Sequence, residues 1–231
     1  MLKDSFNSIL DVKDKLNIKN PNLTAFIIKK DEKKSPKTIL EKSLIYYNLN
    51  SKNIASCNQI HSNEVQFITK PGIYEKTDGL ICDFDSKLIL LVQTADCVPI
   101  FIIDNLKGLM GLVHSGWKGT YQNIIKSALS IFFDRGSKKS NIRIYLGPSI
   151  KQCCYEIKED ISKYFDKKYI INKNSTLYLN LLDKIKDDIL LENIDNNNIY
   201  TSKVCTFEDQ EYYSYRRNNN GRIYSVIGSK K

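Results

Sequence analysis

Cys97, His114 and His61 are the residues from which chemistry could be built. The stretch 93–119, QTADCVPIFIIDNLKGLMGLVHSGWKG, holds one of six cysteines (Cys97), one of two histidines (His114) and the only tryptophan (Trp117). His61 lies upstream, in Asn58-Gln59-Ile60-His61-Ser62. A thiol and an imidazole brought together suit two chemistries. One is a nucleophile–base pair, with His114 activating Cys97 and Asp96 or another polar group orienting the ring. That arrangement leaves His61 without a role. The other is a metal centre that uses all three residues. Three N/S ligands with an open fourth position is the pattern of a catalytic zinc site, whereas structural zinc sites have all four positions filled by protein. On the residues alone both readings stand.

Bringing these side chains together requires a particular hairpin. Residues 98–103 and 109–113 are continuous apolar runs of strand length, as expected for strands covered on both faces. Antiparallel pairing through the 105–108 turn brings Cys97, before the first strand, beside His114, at the end of the second. His61 precedes another apolar run, 65–68, and can converge on the same edge. Around this centre the pattern predicts strands at 24–28, 79–81, 88–92, 142–146, 199–205 and 223–227. Helices are predicted at 37–48, 120–133, 158–166 and 177–191, and a short helix or an extension at 1–20. Pro71-Gly72 reads as a turn, and Asp78-Gly79 and Asp104-Asn105 read as turn residues. No repeat or linker interrupts the chain. Residues 1–231 are expected to form one α+β domain.

Bulk properties remove several function classes. No apolar run approaches the roughly 20 residues that span a bilayer. The first 20 residues carry acids and lack a signal-peptide core, so a cytoplasmic location is expected. The net charge is +9, but only five of the 35 basic residues are Arg, and no basic stripe interleaves with aromatics. Nucleic acid is therefore not an expected partner. The cysteines at 57, 82, 97, 153, 154 and 205 form neither a zinc ribbon nor a disulfide framework. Apart from Cys97 they are expected to be reduced, buried and inert. Two histidines cannot furnish a trinuclear copper cluster plus a type 1 site, which excludes a true laccase architecture. A single copper remains open.

Three of the five arginines, Arg216, Arg217 and Arg222, lie in the C-terminal stretch YYSYRRNNNGR. In a chain that otherwise uses Lys, they suggest a need for planar, bidentate donors to phosphate or carboxylate; ordinary salt bridging is the plainer alternative.

NQIHS, TDGLI, TADCVPIFIID, GLVHSGWKGT, LGPSIKQCCYEI, CTF and YYSYRRNNNGR occur in this order. The set resembles the YfiH/YlmD-like proteins, the purine nucleoside phosphorylase/laccase-domain family formerly called multicopper polyphenol oxidases. The resemblance covers roughly residues 56–228. It implies a layered α/β/β/α sandwich with mixed sheets, similar to the catalytic domain of cytotoxic necrotizing factor. It implies a metal site at His61, Cys97 and His114, holding zinc, with copper as the other candidate. The implied activity is phosphorolysis of adenosine, inosine and S-methyl-5′-thioadenosine, with some adenosine deamination and, in some members, polyphenol oxidation. Arg216, Arg217 and Lys118 are the expected contacts to nucleoside and phosphate. A monomer or a homodimer is expected. Three departures stand out: the Gly-rich N-terminal motif is absent from residues 21–50, Lys118 stands where Arg is commoner, and Lys151 replaces a usual Gly. A metal-independent Cys97/His114 amidase or editing hydrolase is the rival reading.

Overall fold

In a computed structural model of the chain, residues 8–230 are described. Two six-stranded mixed sheets lie at the centre. The first runs in the order Ile9–Asp11, Leu23–Ile28, Ile223–Ser229, Ile89–Thr94, Ile54–Asn58 and Gly72–Glu75. The second runs in the order Ile199–Thr201, Ile142–Leu146, Val98–Asp104, Leu109–Ser115, Gly79–Asp83 and Val65–Phe67. A small third sheet joins Glu156–Ile157, Thr176–Leu179 and Ile170–Lys173.

The layering follows from which faces are apolar. Val98, Ile100 and Ile102 turn one way and pack with Ile124, Ala128, Leu129 and Phe132 of the helix Ile124–Asp134 and with Ile185 and Ile189 of the helix Leu181–Leu191. Phe101 and Ile103 turn the other way and meet Leu90, Val92, Ile223 and Ile227 of the first sheet. The outer face of that sheet is covered by Ile39, Leu40 and Leu44 of the helix Pro36–Tyr46. The result is the expected α/β/β/α order. It also explains the continuous apolar runs, since a strand between two layers has no solvent face. Each such buried Ile, Val or Phe contributes about 1.5–3 kcal/mol relative to exposure.

The central hairpin forms as its sequence predicts. Val98–Asp104 pairs antiparallel with Leu109–Ser115, Val98 opposite Ser115 and Pro99 opposite His114. Asp104 closes the turn, accepting from Leu106 N at 2.9 Å and Lys107 N at 3.0 Å. This places Cys97 and His114 at one end of the hairpin.

Several elements differ from expectation for identifiable reasons. The helix predicted at 120–133 is two helices, Trp117–Tyr121 and Ile124–Asp134, because Asn123 adopts a left-handed conformation (φ 58°) and caps Lys126 N with its side chain. The helix predicted at 177–191 begins only at Leu181. Residues before it form the hairpin Ile170–Lys173/Thr176–Leu179 around Asn174 and Ser175, both at positive φ, as a type I′ turn requires. Only Glu159–Ser162 is helical within 158–166. Gly72–Glu75 is a strand where a turn alone was expected. Of the predicted helix or extension at 1–20, residues 1–7 lie outside the described residues; Ile9–Asp11 is a strand and Asp14–Leu16 a 3-10 turn. Among the described residues no helix is long and apolar enough to cross a membrane.

Candidate functional site

One ligand atom from each of His61, Cys97 and His114 lies within 4.8 Å of the others. The two imidazoles meet edge-on, with centroids 4.8 Å apart and planes at 79°. His114 is buried, whereas His61 is exposed.

The group that organises this triad is Asp78, which has no solvent exposure. Its carboxylate accepts from His114 Nδ1 at 2.8 Å, from the backbone N–H of His61 at 3.0 Å and of Ser62 at 2.7 Å, and from Ser62 Oγ at 2.7 Å. A buried charge is tolerated only when so saturated. Burial alone would raise the Asp78 carboxyl, but the bonds from His114 and Ser62 prevail and hold it at about 2. Asp78 thereby fixes two things together. It presents the remaining His114 nitrogen, Nε2, to the site, and it holds the His61 loop, where His61 itself sits at φ 61°. Gln59 clamps the same loop from the other side, donating to Gln93 O at 2.7 Å and accepting from Gln93 N at 2.9 Å.

Two glycines make the approach of this loop sterically feasible. A Cβ at Gly116 would lie 2.9 Å from His61 Cδ2 and 3.0 Å from Cys97 Sγ. At Gly119 it would lie 2.7 Å from Ser62 O. The glycines of HSGWKG are thus clearances for the loop that carries His61.

Burial would raise the Cys97 thiol, but the neighbouring His114 and His61 outweigh it and bring it down to about 6. Burial would lower His114; the Cys97 thiolate and Asp78 carboxylate raise it to about 9. Without a metal, the contact favours the thiolate of Cys97 and the protonated form of His114; a metal ion would take the place of the proton on Nε2. Two imidazoles and a thiolate are a suitable donor set for zinc or copper. The carboxylate on the far nitrogen of His114 is the outer support that metal-bound histidines commonly carry.

The triad opens onto a cavity of about 720 Å³, of a size that takes a drug-sized molecule. Its walls include Trp117, Tyr155, Tyr215, Arg216 and Arg222. Arg216 is aimed by a bond from Nη2 to Glu156 O at 2.7 Å and lies over the Tyr155 ring at 5.7 Å. Burial pushes the Tyr155 phenol above its ordinary range, so it stays protonated. Asp96 holds this wall in place. It sits at φ 82° and accepts from Thr206 Oγ1 at 2.7 Å, Ser214 Oγ at 3.0 Å and Arg216 N at 2.8 Å. Asp96 therefore supports the arginine segment, whereas the histidine is supported by Asp78.

Of the expected substrate contacts, Arg216 faces the cavity and two others do not. Arg217 turns away and caps the carbonyls of Thr206, Phe207 and Tyr212, because those loop-end oxygens have no strand partner and a guanidinium can satisfy several at once. Lys118 is exposed, with its ammonium 5.6 Å from the Trp117 ring, and is absent from the cavity wall. Arg222 lines the wall instead. The signal for Asp78 was present in the strand pairing. Gly79 lies opposite Val113, so the residue before it falls beside His114.

A two-sheet sandwich with a His/Cys/His cluster at a cavity mouth defines the class, and comparison with known proteins agrees. Residues 27–230 match the family described as multi-copper polyphenol oxidoreductase laccase, and the chain belongs to that family. A Clostridium acetobutylicum protein named purine nucleoside phosphorylase is 32% identical over 240 residues, covering 93% of this chain and 100% of that one. A Borreliella burgdorferi protein of the same name is 32% identical over 186 residues, covering 77% of this chain and 80% of that one. Among solved structures, Bacillus licheniformis YfiH superposes with a TM-score of 0.81 at 23% identity, covering 90% of this chain and 93% of that one. YlmD from Geobacillus stearothermophilus gives 0.81 at 22% identity, covering 91% and 93%.

Proposed function

We propose that the protein is a metal-dependent purine nucleoside phosphorylase acting on adenosine, inosine and S-methyl-5′-thioadenosine, with adenosine deamination as a side activity. The observation that carries this reading is the joining, in one cavity, of the His61/Cys97/His114 cluster with two arginines, Arg216 and Arg222. The relatives named purine nucleoside phosphorylase support it.

In the reaction a phosphate oxygen bonds to ribose C1′ as the bond from C1′ to the purine nitrogen breaks. The bonding pair leaves with the base, which takes up a proton. The products are ribose 1-phosphate, or its methylthio analogue, and free base. Zn²⁺ held by His61, Cys97 and His114 would supply positive charge at the reacting oxygens and, for deamination, acidify a water. Asp78 keeps His114 in the tautomer that leaves Nε2 for the site. Arg216, aimed by the Glu156 carbonyl and carried on the Asp96 scaffold, binds phosphate with Arg222. Trp117 and Tyr155 bound the space for the base, and the protonated Tyr155 phenol is available as a hydrogen-bond donor.

The test is phosphate-dependent release of adenine and hypoxanthine by the purified protein, before and after chelation. Loss of turnover on chelation and recovery with zinc support the reading. A second reading rests on the chain Asp78–His114–Cys97, which is also the arrangement of an activated cysteine hydrolase. It requires that chelation leave activity intact and that alkylation of Cys97 abolish it.

A further inference from the structure

Three cysteines outside this site converge; all are free and Cys205 is buried, as expected, whereas Cys154 is half-buried and Cys153 exposed. The segment 151–154 and the segment around Cys205 are drawn together by a parallel bridge between Ser149 and Cys205. Cys154 Sγ is 3.2 Å from Cys153 Sγ, which is 3.8 Å from Cys205 Sγ. A Glu208 carboxylate oxygen joins them, and all four atoms lie within 4.8 Å of one another. We propose that Cys153, Cys154, Cys205 and Glu208 form a second, structural metal site for a thiophilic divalent ion of the zinc class.

The donor count separates this cluster from the His61 centre. Three thiolates and a carboxylate fill a tetrahedral shell, which is the closed form of structural zinc. With Zn–S bonds of about 2.3 Å, a tetrahedral edge is about 3.8 Å; the Cys153–Cys205 separation of 3.8 Å matches it, and the Cys153–Cys154 separation of 3.2 Å would have to open slightly. A disulfide would use two of the thiols and leave the third sulfur and the carboxylate unexplained; all three cysteines are free.

The surroundings suit a metal thiolate. The backbone N–H of Lys151 donates to Cys205 Sγ at 3.4 Å, and its ammonium donates to Ser202 O at 2.7 Å. When protonated, Lys151 would offset part of the net negative charge of a divalent ion with four anionic ligands. Cys153 and Glu208 are exposed, which gives an ion a way in.

The site would cross-link 150–154 to 205–208. Both segments attach to Asp96, through Ile150 N to Asp96 O at 3.0 Å and Thr206 Oγ1 to Asp96 Oδ1 at 2.7 Å. The ion would therefore stiffen the wall that carries Ile150 and Tyr155.

The test counts metal by elemental analysis on the full-length protein, purified under reducing conditions with zinc supplied. The forms compared are wild type, Cys153→Ser, Cys154→Ser, His61→Ala and the His61→Ala/Cys153→Ser double variant. The expected loss is about one equivalent in either cysteine variant, with a further, independent loss in His61→Ala. Cobalt-loaded His61→Ala protein should keep an intense thiolate-to-metal absorption that the double variant lacks. Metal lost with Cys153→Ser but unaffected by His61→Ala would support this site and contradict the His61 centre. Full wild-type metal in both cysteine variants would overturn the proposal. So would a Cys153–Cys205 disulfide found by mass spectrometry in protein kept reduced.

Discussion

The Asp78 carboxylate lies 2.8 Å from His114 Nδ1 and also accepts the backbone N–H of His61. One buried residue thus orients one ring of the candidate centre and positions the loop bearing the other. Asp78→Asn is expected to weaken zinc binding by about 10–100-fold while the fold is retained, as read by chelator competition and circular dichroism. Unchanged affinity would remove Asp78 from the centre.

The same carboxylate has a stability consequence. Its folded value, about 2, lies below the ordinary Asp value, so it stabilises the fold above about pH 4 and that contribution is lost as pH falls through about 2. Chemical denaturation of the metal-free protein should give a smaller loss of stability between pH 5 and 2 for Asp78→Asn than for wild type. Equal slopes would contradict the assignment.

Gly116→Ala tests steric clearance alone. The added methyl would meet His61 Cδ2 and Cys97 Sγ, so the centre must open. Metal content should fall sharply, with a stability cost of about 1–3 kcal/mol. Wild-type metal content would show that the loop has slack.

In metal-free protein, Cys97 should alkylate with a midpoint near pH 6, well below the usual thiol range. Cys57 and Cys82, pushed up to about 12 by burial, should stay silent. Peptide mapping of iodoacetamide adducts at pH 5–9 reads this directly. A midpoint above 8 would mean that His114 does not stabilise the thiolate.

Adjacent arginines should behave differently. Arg216→Ala should raise the KM for phosphate with little change in stability, because the side chain faces the cavity. Arg217→Ala should cost about 1–3 kcal/mol, because buried carbonyls lose their donor, with phosphate KM little changed. Equal effects on phosphate KM would contradict the division.

This contrast marks the limit of what the sequence could convey. The hairpin that joins Cys97 to His114 was legible because two buried strands and an Asn/Gly turn leave few alternatives. The layer order was legible only through family resemblance. The direction of Arg217 was not legible, since it depends on which loop carbonyls lack partners after folding. Asp78 resembled a turn residue because Asp-Gly pairs usually are; its role follows from register with Val113, a non-local pairing. Asn123 broke a predicted helix, and the Asn174-Ser175 turn made a strand of the first residues of another, through left-handed conformations that apolar periodicity does not encode.

The most direct measurement is adenine release from adenosine with and without phosphate, by wild type and Cys97→Ala, with metal counted in each. The account predicts phosphate-dependent release by wild type carrying metal at the His61 centre, and loss of both turnover and that metal in Cys97→Ala. Full phosphate-dependent turnover in Cys97→Ala protein lacking that metal would contradict it.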